Sequence, residues 1–192
     1  MTGPRSWTFW VLAFTFAICG VSSFGLTQAH FVPFCGDMGI ALGTAAWLLA
    51  VIGVCDLFGT IGSGWLSDRY DNRWLLAWYY GLRGLALVWL VVADVSTFGL
   101  LVFSVIYGLD FIATVPPSVR PTVQTFGREM GPAVFAWIFA AHHVAAGVMA
   151  FGTGVSRDLL GTYAPAFLLA GLLCGVAAAS FGLVRRPQSA VA

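Results

Sequence analysis

Six runs of about twenty predominantly apolar residues, at 8–29, 44–66, 74–93, 97–117, 132–155 and 163–184, constrain this chain more than any other feature of it. At a rise of ~1.5 Å per residue each is long enough to cross the ~30 Å hydrocarbon core of a bilayer. They must be helices, because an unpaired backbone N–H or C=O in lipid is costly and only a helix satisfies every such group within one segment. Barrel strands would be shorter and strictly alternating. With 59% hydrophobic and 9% charged residues, a soluble fold of 192 residues could not shield so much apolar surface. In soluble domains about a quarter of residues carry charge. The expectation is an all-α, multi-pass integral membrane protein. The first run follows a short start with one basic residue, Arg5, as a secretory signal would. It runs on too long for that and five more spans follow, so it is read as a membrane helix.

Helix breakers and charges fall between the runs: Pro33, Asp37 and Gly39; the stretch 67–73; Asp94 to Thr97; Pro116, Pro117 and Pro121; and Arg157 to Thr162. The third and fourth runs are so close that they form a tight hairpin. Orientation rests on arginine alone, since the chain has no lysine. Arg5, Arg69, Arg73, Arg120, Arg128, Arg185 and Arg186 fall on one side, Arg157 on the other and Arg83 inside a run. The positive-inside rule then puts both termini in the cytoplasm of a cell-membrane protein. A net charge of +1 without a basic run offers nothing to nucleic acid. Cys19, Cys35, Cys55 and Cys174 have no metal-ligand or C-x-x-C spacing and read as small core residues. No cofactor or metal is expected.

The stretch GWLSDRYDNRWLL, residues 64–76, places four charges between two apolar runs. A cytoplasmic loop needs no further reason for them, but Gly64, Leu66, Ser67, Asp68, Arg69, Arg73 and Leu76 resemble the G-x-L-A-D-R-x-G-R-[KR]-x-x-L signature of the major facilitator superfamily. Asp71 and Asn72 depart from it; Arg73 keeps the second basic position. Gly59, Gly62 and Gly64 would let a neighbouring helix approach closely. Asp68 would bond N–H groups at a helix start, and the arginines would reach carbonyl ends or carboxylates, forming a cytoplasmic gating motif. Further segments, among them "HFVPFCGDMGIA", "YGLDFIATVPP" and "FAWIFAAHHVAAG", are similar to the carboxy-terminal half of bacterial carriers of the monocarboxylate and oxalate/formate group. The resemblance implies a single domain over 1–192: one six-helix half, built as 3+3 inverted repeats, of a twelve-helix carrier. It further implies a substrate held between halves near the midplane and a first, second, fourth and fifth helix lining the cavity. A lone half would need a second six-helix half or a copy of itself, in contact with membrane lipid.

Ionisable residues inside a bilayer are expensive, at roughly 2.5–3.5 kcal/mol on insertion scales, and each is a candidate functional residue. Asp56, Arg83, Asp110, His142 and His143 qualify, all roughly 12–18 Å in from the cytoplasmic helix ends. Arg83 is either a counter-ion to Asp56 or Asp110 or a fork for a substrate carboxylate. Asp110 is a proton-relay or substrate residue, or the structural partner of Arg83; Asp56, beside Gly53 and Gly59, suits tight packing around a neutralised acid. Consecutive helix positions lie about 100° apart, so one of His142 and His143 faces a cavity while the other packs. A histidine there either couples proton movement to transport or is a hydrogen-bonded core residue. Gln28 and His30 lie at an outer helix end, as solute contacts at an entrance or as solvated interface residues. The eight tryptophans read as interface anchors.

Enzyme chemistry finds no purchase. Without lysine there is no Walker P-loop and no retinal Schiff base. "IGSG" at 61–64 misses the first glycine of an intramembrane serine protease, and "AHHVA" is not HExxH. The expected function is secondary active, proton-coupled transport of small organic anions such as monocarboxylates by alternating access. Two alternatives stand beside it: an efflux carrier of lipophilic or neutral solutes, and a non-transporting subunit that packs against a partner half.

Overall fold

The structure, a computed structural model, describes residues 7–92 and 96–183; Arg5, Asp94, Arg185 and Arg186 lie outside the described residues. Most of those described are helical, with no strand among them, and five helical runs are long and apolar enough to cross a membrane.

The first run comprises α1 (Trp7–Gly20), a π-helical segment (Val21–Gln28) and α2 (Ala29–Asp37). The wider register shows in Thr27, whose hydroxyl donates to the carbonyl five residues back, on Ser22, at 2.9 Å. The helix passes through Pro33, placed in sequence at a break, because proline there removes a single donor; it stops at Gly39, whose φ of 75° only glycine adopts readily. Helix α3 (Leu42–Ser67) descends to the charged loop and α4 (Asn72–Val92) rises from it. Ser96 caps α5 (Thr97–Asp110) by accepting from the Gly99 N–H at 3.1 Å. A four-residue turn at 111–114 leads into α6 (Val115–Leu160), and α7 (Ala164–Leu183) follows Gly161, another positive-φ cap.

From Thr97 to Leu160 there are 64 residues, which if straight would extend roughly 96 Å, three times the hydrocarbon core. The chain reverses at Gly127, which leaves helical geometry (φ 80°, ψ 168°). A Cβ on Gly131 would lie 3.1 Å from the Val123 Cα, so the limbs 115–126 and 128–160 fold back on each other. The prolines placed at a connection, Pro116, Pro117 and Pro121, are inside the first limb; two stand in its opening turn, where no N–H is needed.

Three helix pairs make up the body. The first run lies parallel to the second limb of α6, with Gly20 against the His142 carbonyl, Gly25 against Ala146 and Asp37 beside Arg157. Helix α3 lies parallel to α5 and the first limb, with Gly108 against Ile52, Gly59 against Leu109 and Ser67 beside Arg120. Helices α4 and α7 are antiparallel: Tyr80 stacks on Phe181 while Val88 meets Gly171. Lipid supplies no hydrophobic drive between helices, so small residues that admit a neighbouring backbone, and hydrogen bonds, hold such pairs. Of the glycines expected to do this, Gly59 does; a Cβ on Gly53, Gly62 or Gly64 meets nothing within 4 Å. All eight tryptophans are exposed, as anchors in an interface are.

Candidate functional site

Arg83 projects from α4 into the centre of the bundle and is 1% exposed. Its Nε donates to Asp110 Oδ2 at 2.7 Å, one Nη to the carbonyls of Asp110 and of Phe111 (3.0 Å), and the other to Cys19 Sγ (3.0 Å) and Ser22 Oγ (3.4 Å). A guanidinium has five N–H donors, and these five contacts engage them all. The chain supplies the acceptors by breaking its own helix: α5 ends at Asp110, and in the turn that follows the carbonyls no longer belong to a regular ladder. Pro116 and Pro117 lack the N–H that the carbonyls of Ile112 and Ala113 would have received. Ala113 instead accepts the Ser63 hydroxyl at 2.5 Å, and Ile112 the Val115 N–H at 2.9 Å.

Asp56 is half-buried on α3 and does not pair with Arg83; its Oδ1 accepts the Ile112 N–H at 2.9 Å and the Thr60 hydroxyl at 3.2 Å, closing the same broken turn. Around Arg83, Tyr107 donates to the Ser22 carbonyl (2.7 Å) and Tyr80 to that of Thr15 (2.6 Å). The result is a polar core that ties the first run, α3, α4 and α5 together. One of its atoms, Asp110 Oδ1, is buried without a partner.

The two histidines divide. His142 is 3% exposed, with Nδ1 3.2 Å from the Phe16 carbonyl; its Nε2 is buried without a partner. His143 is exposed, its Nδ1 3.0 Å from the Phe139 carbonyl. His142 lines a cavity of about 380 Å³ together with Cys19, Ser23, Phe24, Phe111 and Phe139. Gln28 is exposed, and His30 Nε2 meets the Ala150 carbonyl at 2.9 Å.

At the opposite end, the charged loop differs in detail from its expected roles. Asp68 does not bond a helix start: it pairs with Arg120, which also donates to the Ser67 carbonyl at the end of α3 (2.7 Å). The helix-start role falls to Asp71, whose Oδ1 accepts the Arg73 N–H at 3.0 Å. Arg69 lies over the Trp65 ring at 4.0 Å, and Gly64 contacts no neighbouring helix. Arg120, Cys19, Ser22 and Tyr107 escaped sequence reasoning as site residues. Only Arg120 carried a signal, a lone cation just after two prolines and within reach of an acidic loop.

No protein-family model matches the chain. Over 172 residues, 85% of its length, it is 31% identical to monocarboxylate transporter 12-B of Danio rerio, covering 35% of that protein. It is 32% identical over 173 residues to monocarboxylate transporter 13 of Rattus norvegicus, 85% of this chain and 39% of that one. With monocarboxylate transporter 12 of Mus musculus it shares 28% identity over 162 residues, 81% of this chain and 33% of that one. The chain therefore spans little more than a third of the length of these relatives.

Proposed function

This chain is a relative of the monocarboxylate transporters, carriers of the major facilitator superfamily, and on that premise we propose that it forms one six-helix half of a secondary active carrier. The half moves small organic anions together with protons by alternating access in the cell membrane, both termini being cytoplasmic. A second six-helix half, or a second copy, closes the midplane site.

Six spans follow when the reversal at Gly127 is counted as the end of one crossing and the start of the next. The helix pairing supports the 3+3 inverted repeat. Numbered along the chain, spans one and five are parallel, two and four are parallel, and three and six are antiparallel. An axis in the membrane plane that sends spans one, two and three onto four, five and six exchanges the first two pairs and maps the third onto itself. Orientation rests on Arg69, Arg73 and Arg120 lying together at one end, opposite Arg157.

The observation that carries the functional reading is the His142 Nε2, buried without a partner on the wall of a cavity close to Arg83, whose donors are all engaged. With all its donors engaged, Arg83 is a structural counter-ion, and the proton and the anion meet at His142. Asp56 and Asp110 hold the broken turn that shapes one side of the cavity; Gln28 and His30 stand near the outer mouth, and His143 faces away from the buried core. Asp68, Arg69 and Arg73, with Arg120, organise the cytoplasmic end.

The test is uptake of radiolabelled organic anions into proteoliposomes with and without an outside-acid pH gradient. Uptake is expected to rise as the external side is acidified and to fall as its pH is raised, because the site needs a proton along with the anion. His142→Gln should flatten that dependence. Uptake by the parent that ignores the gradient would end the proton-coupled reading. The apolar cavity lining favours one competitor, a carrier of lipophilic neutral solutes, which the same assay separates by its indifference to pH.

A further inference from the structure

The cavity beside His142 has properties that a site for a compact acid does not need. Its wall is aromatic: Phe16, Phe24, Phe111, Phe135, Phe139 and His142 all line it. The Phe16 ring centroid lies 5.5 Å from that of Phe135 and 5.3 Å from that of His142; Phe24 is 5.8 Å from Phe111 and 5.3 Å from His142. Phe139 stacks on His142 at 5.4 Å with planes 3° apart. Rings fixed by one another present faces and edges that complement another ring. The polar atoms on the wall are mostly spent: Ser23 donates to the Cys19 carbonyl at 2.5 Å, and Cys19 Sγ engages Arg83 and Thr114. Among the described lining side chains, His142 Nε2 is the polar atom left without a partner.

Size points the same way. An apolar cavity of roughly 150 Å³ already accepts benzene. The 380 Å³ available here takes a ring together with a short acidic arm, whereas a two- or three-carbon acid would leave most of the aromatic wall facing water.

Resting on the carrier reading above, we infer that the transported solutes are aromatic carboxylic acids, a flat ring joined to a carboxyl group by a short linker. The ring sits among Phe16, Phe24, Phe135 and Phe139 and the carboxyl group meets His142 Nε2. The Phe16 carbonyl can only accept, so Nδ1 carries the hydrogen in the 3.2 Å contact and Nε2 of the neutral ring is a bare lone pair. The acid's O–H proton passes to Nε2, leaving an imidazolium that holds the carboxylate, and returns to it on release. The other titratable groups around His142 are Cys19 on α1 and His143 on its own limb, 5.2 Å ring to ring. Beyond Cys19, Arg83 and Asp110 form a pair of zero net charge.

The experiment compares 3-phenylpropionate with propionate, using the full chain in proteoliposomes for uptake and in detergent for thermal stabilisation. A preference of about ten-fold for 3-phenylpropionate is expected in half-saturating concentration in both assays. Phe139→Leu should bring the two acids to within about two-fold; Phe139 is 39% exposed, so the change leaves the buried core alone, and Phe135→Leu is the second variant. Equal handling of both acids overturns the aromatic class while leaving a carrier. Stabilisation by 3-phenylpropionate without accumulation overturns the carrier reading, and with it transport of aromatic acids, leaving a site that only binds them. Neither stabilisation nor uptake with either acid overturns both.

Discussion

A guanidinium buried in a membrane protein is tolerable only when every donor is met, and Arg83 meets that condition with one carboxylate, two carbonyls, a thiol and a hydroxyl. Removing either member of the Arg83–Asp110 pair strands the other's charge in a low-dielectric core, a loss of about 3–5 kcal/mol, whereas removing both leaves no charge to strand. Arg83→Gln and Asp110→Asn should therefore each lower the thermal unfolding temperature in detergent by more than the double variant Arg83→Met/Asp110→Leu does. A double variant no more stable than the worse single one would mean that the two side chains do not depend on each other. The sequence exposes such residues by their rarity, since any charge in an apolar run stands out. What it hides is partnership. That Arg83 meets Asp110 and not Asp56 depends on a helix end at Asp110 and a turn at 111–114, which neither hydropathy nor spacing encodes.

Among the helices, the apolar runs were legible because hydrocarbon thickness sets their length, while their ends were blurred by prolines that read as breakers. Pro33 and the prolines after 115 each remove one ladder donor, and the surrounding helix absorbs the loss, the Ser63 hydroxyl taking up the Ala113 carbonyl that Pro117 leaves. Glycine was equally ambiguous in sequence: it marks close packing only where its face meets a neighbour. The contrast on α3 makes this testable. A Cβ on Gly59 would collide with the Leu109 carbonyl, whereas one on Gly62 meets open space. Gly59→Ala should destabilise the chain by about 1–3 kcal/mol through overpacking, and Gly62→Ala should be neutral or slightly stabilising through helix propensity. Differential unfolding of the two variants in the same detergent measures it; equal losses would mean that α3 and α5 do not approach as described.

Across the whole molecule, two ion pairs occupy opposite ends of the bundle in related places. Asp37 receives both Nε (2.5 Å) and Nη2 (3.0 Å) of Arg157, joining the first run and the second limb of α6 at the end away from the charged loop. Arg120 joins Asp68 and the Ser67 carbonyl, fastening α3 and the first limb at the end that carries the charged loop. Under the inverted repeat proposed above, the axis that exchanges these helix pairs would exchange the two ion pairs as well, with acid and base swapped: Asp37 in the place of Arg120 and Arg157 in that of Asp68. All four side chains are at least a third exposed, where ion pairs contribute about 0–1 kcal/mol, so stability alone does not account for their placement. Each instead fixes the register of a parallel pair, and both are closed in one structure. If the six helices rock as one body against a second half, neither pair needs to open during the cycle. Cysteines at 68 and 120, or at 37 and 157, bridged by a short thiol-reactive cross-linker, should then leave proton-driven uptake within about two-fold of the uncross-linked double variant, a difference under ~0.5 kcal/mol. If either bridge halts uptake and its cleavage restores it, the half bends internally during transport, and the pair that was bridged marks the end at which it opens.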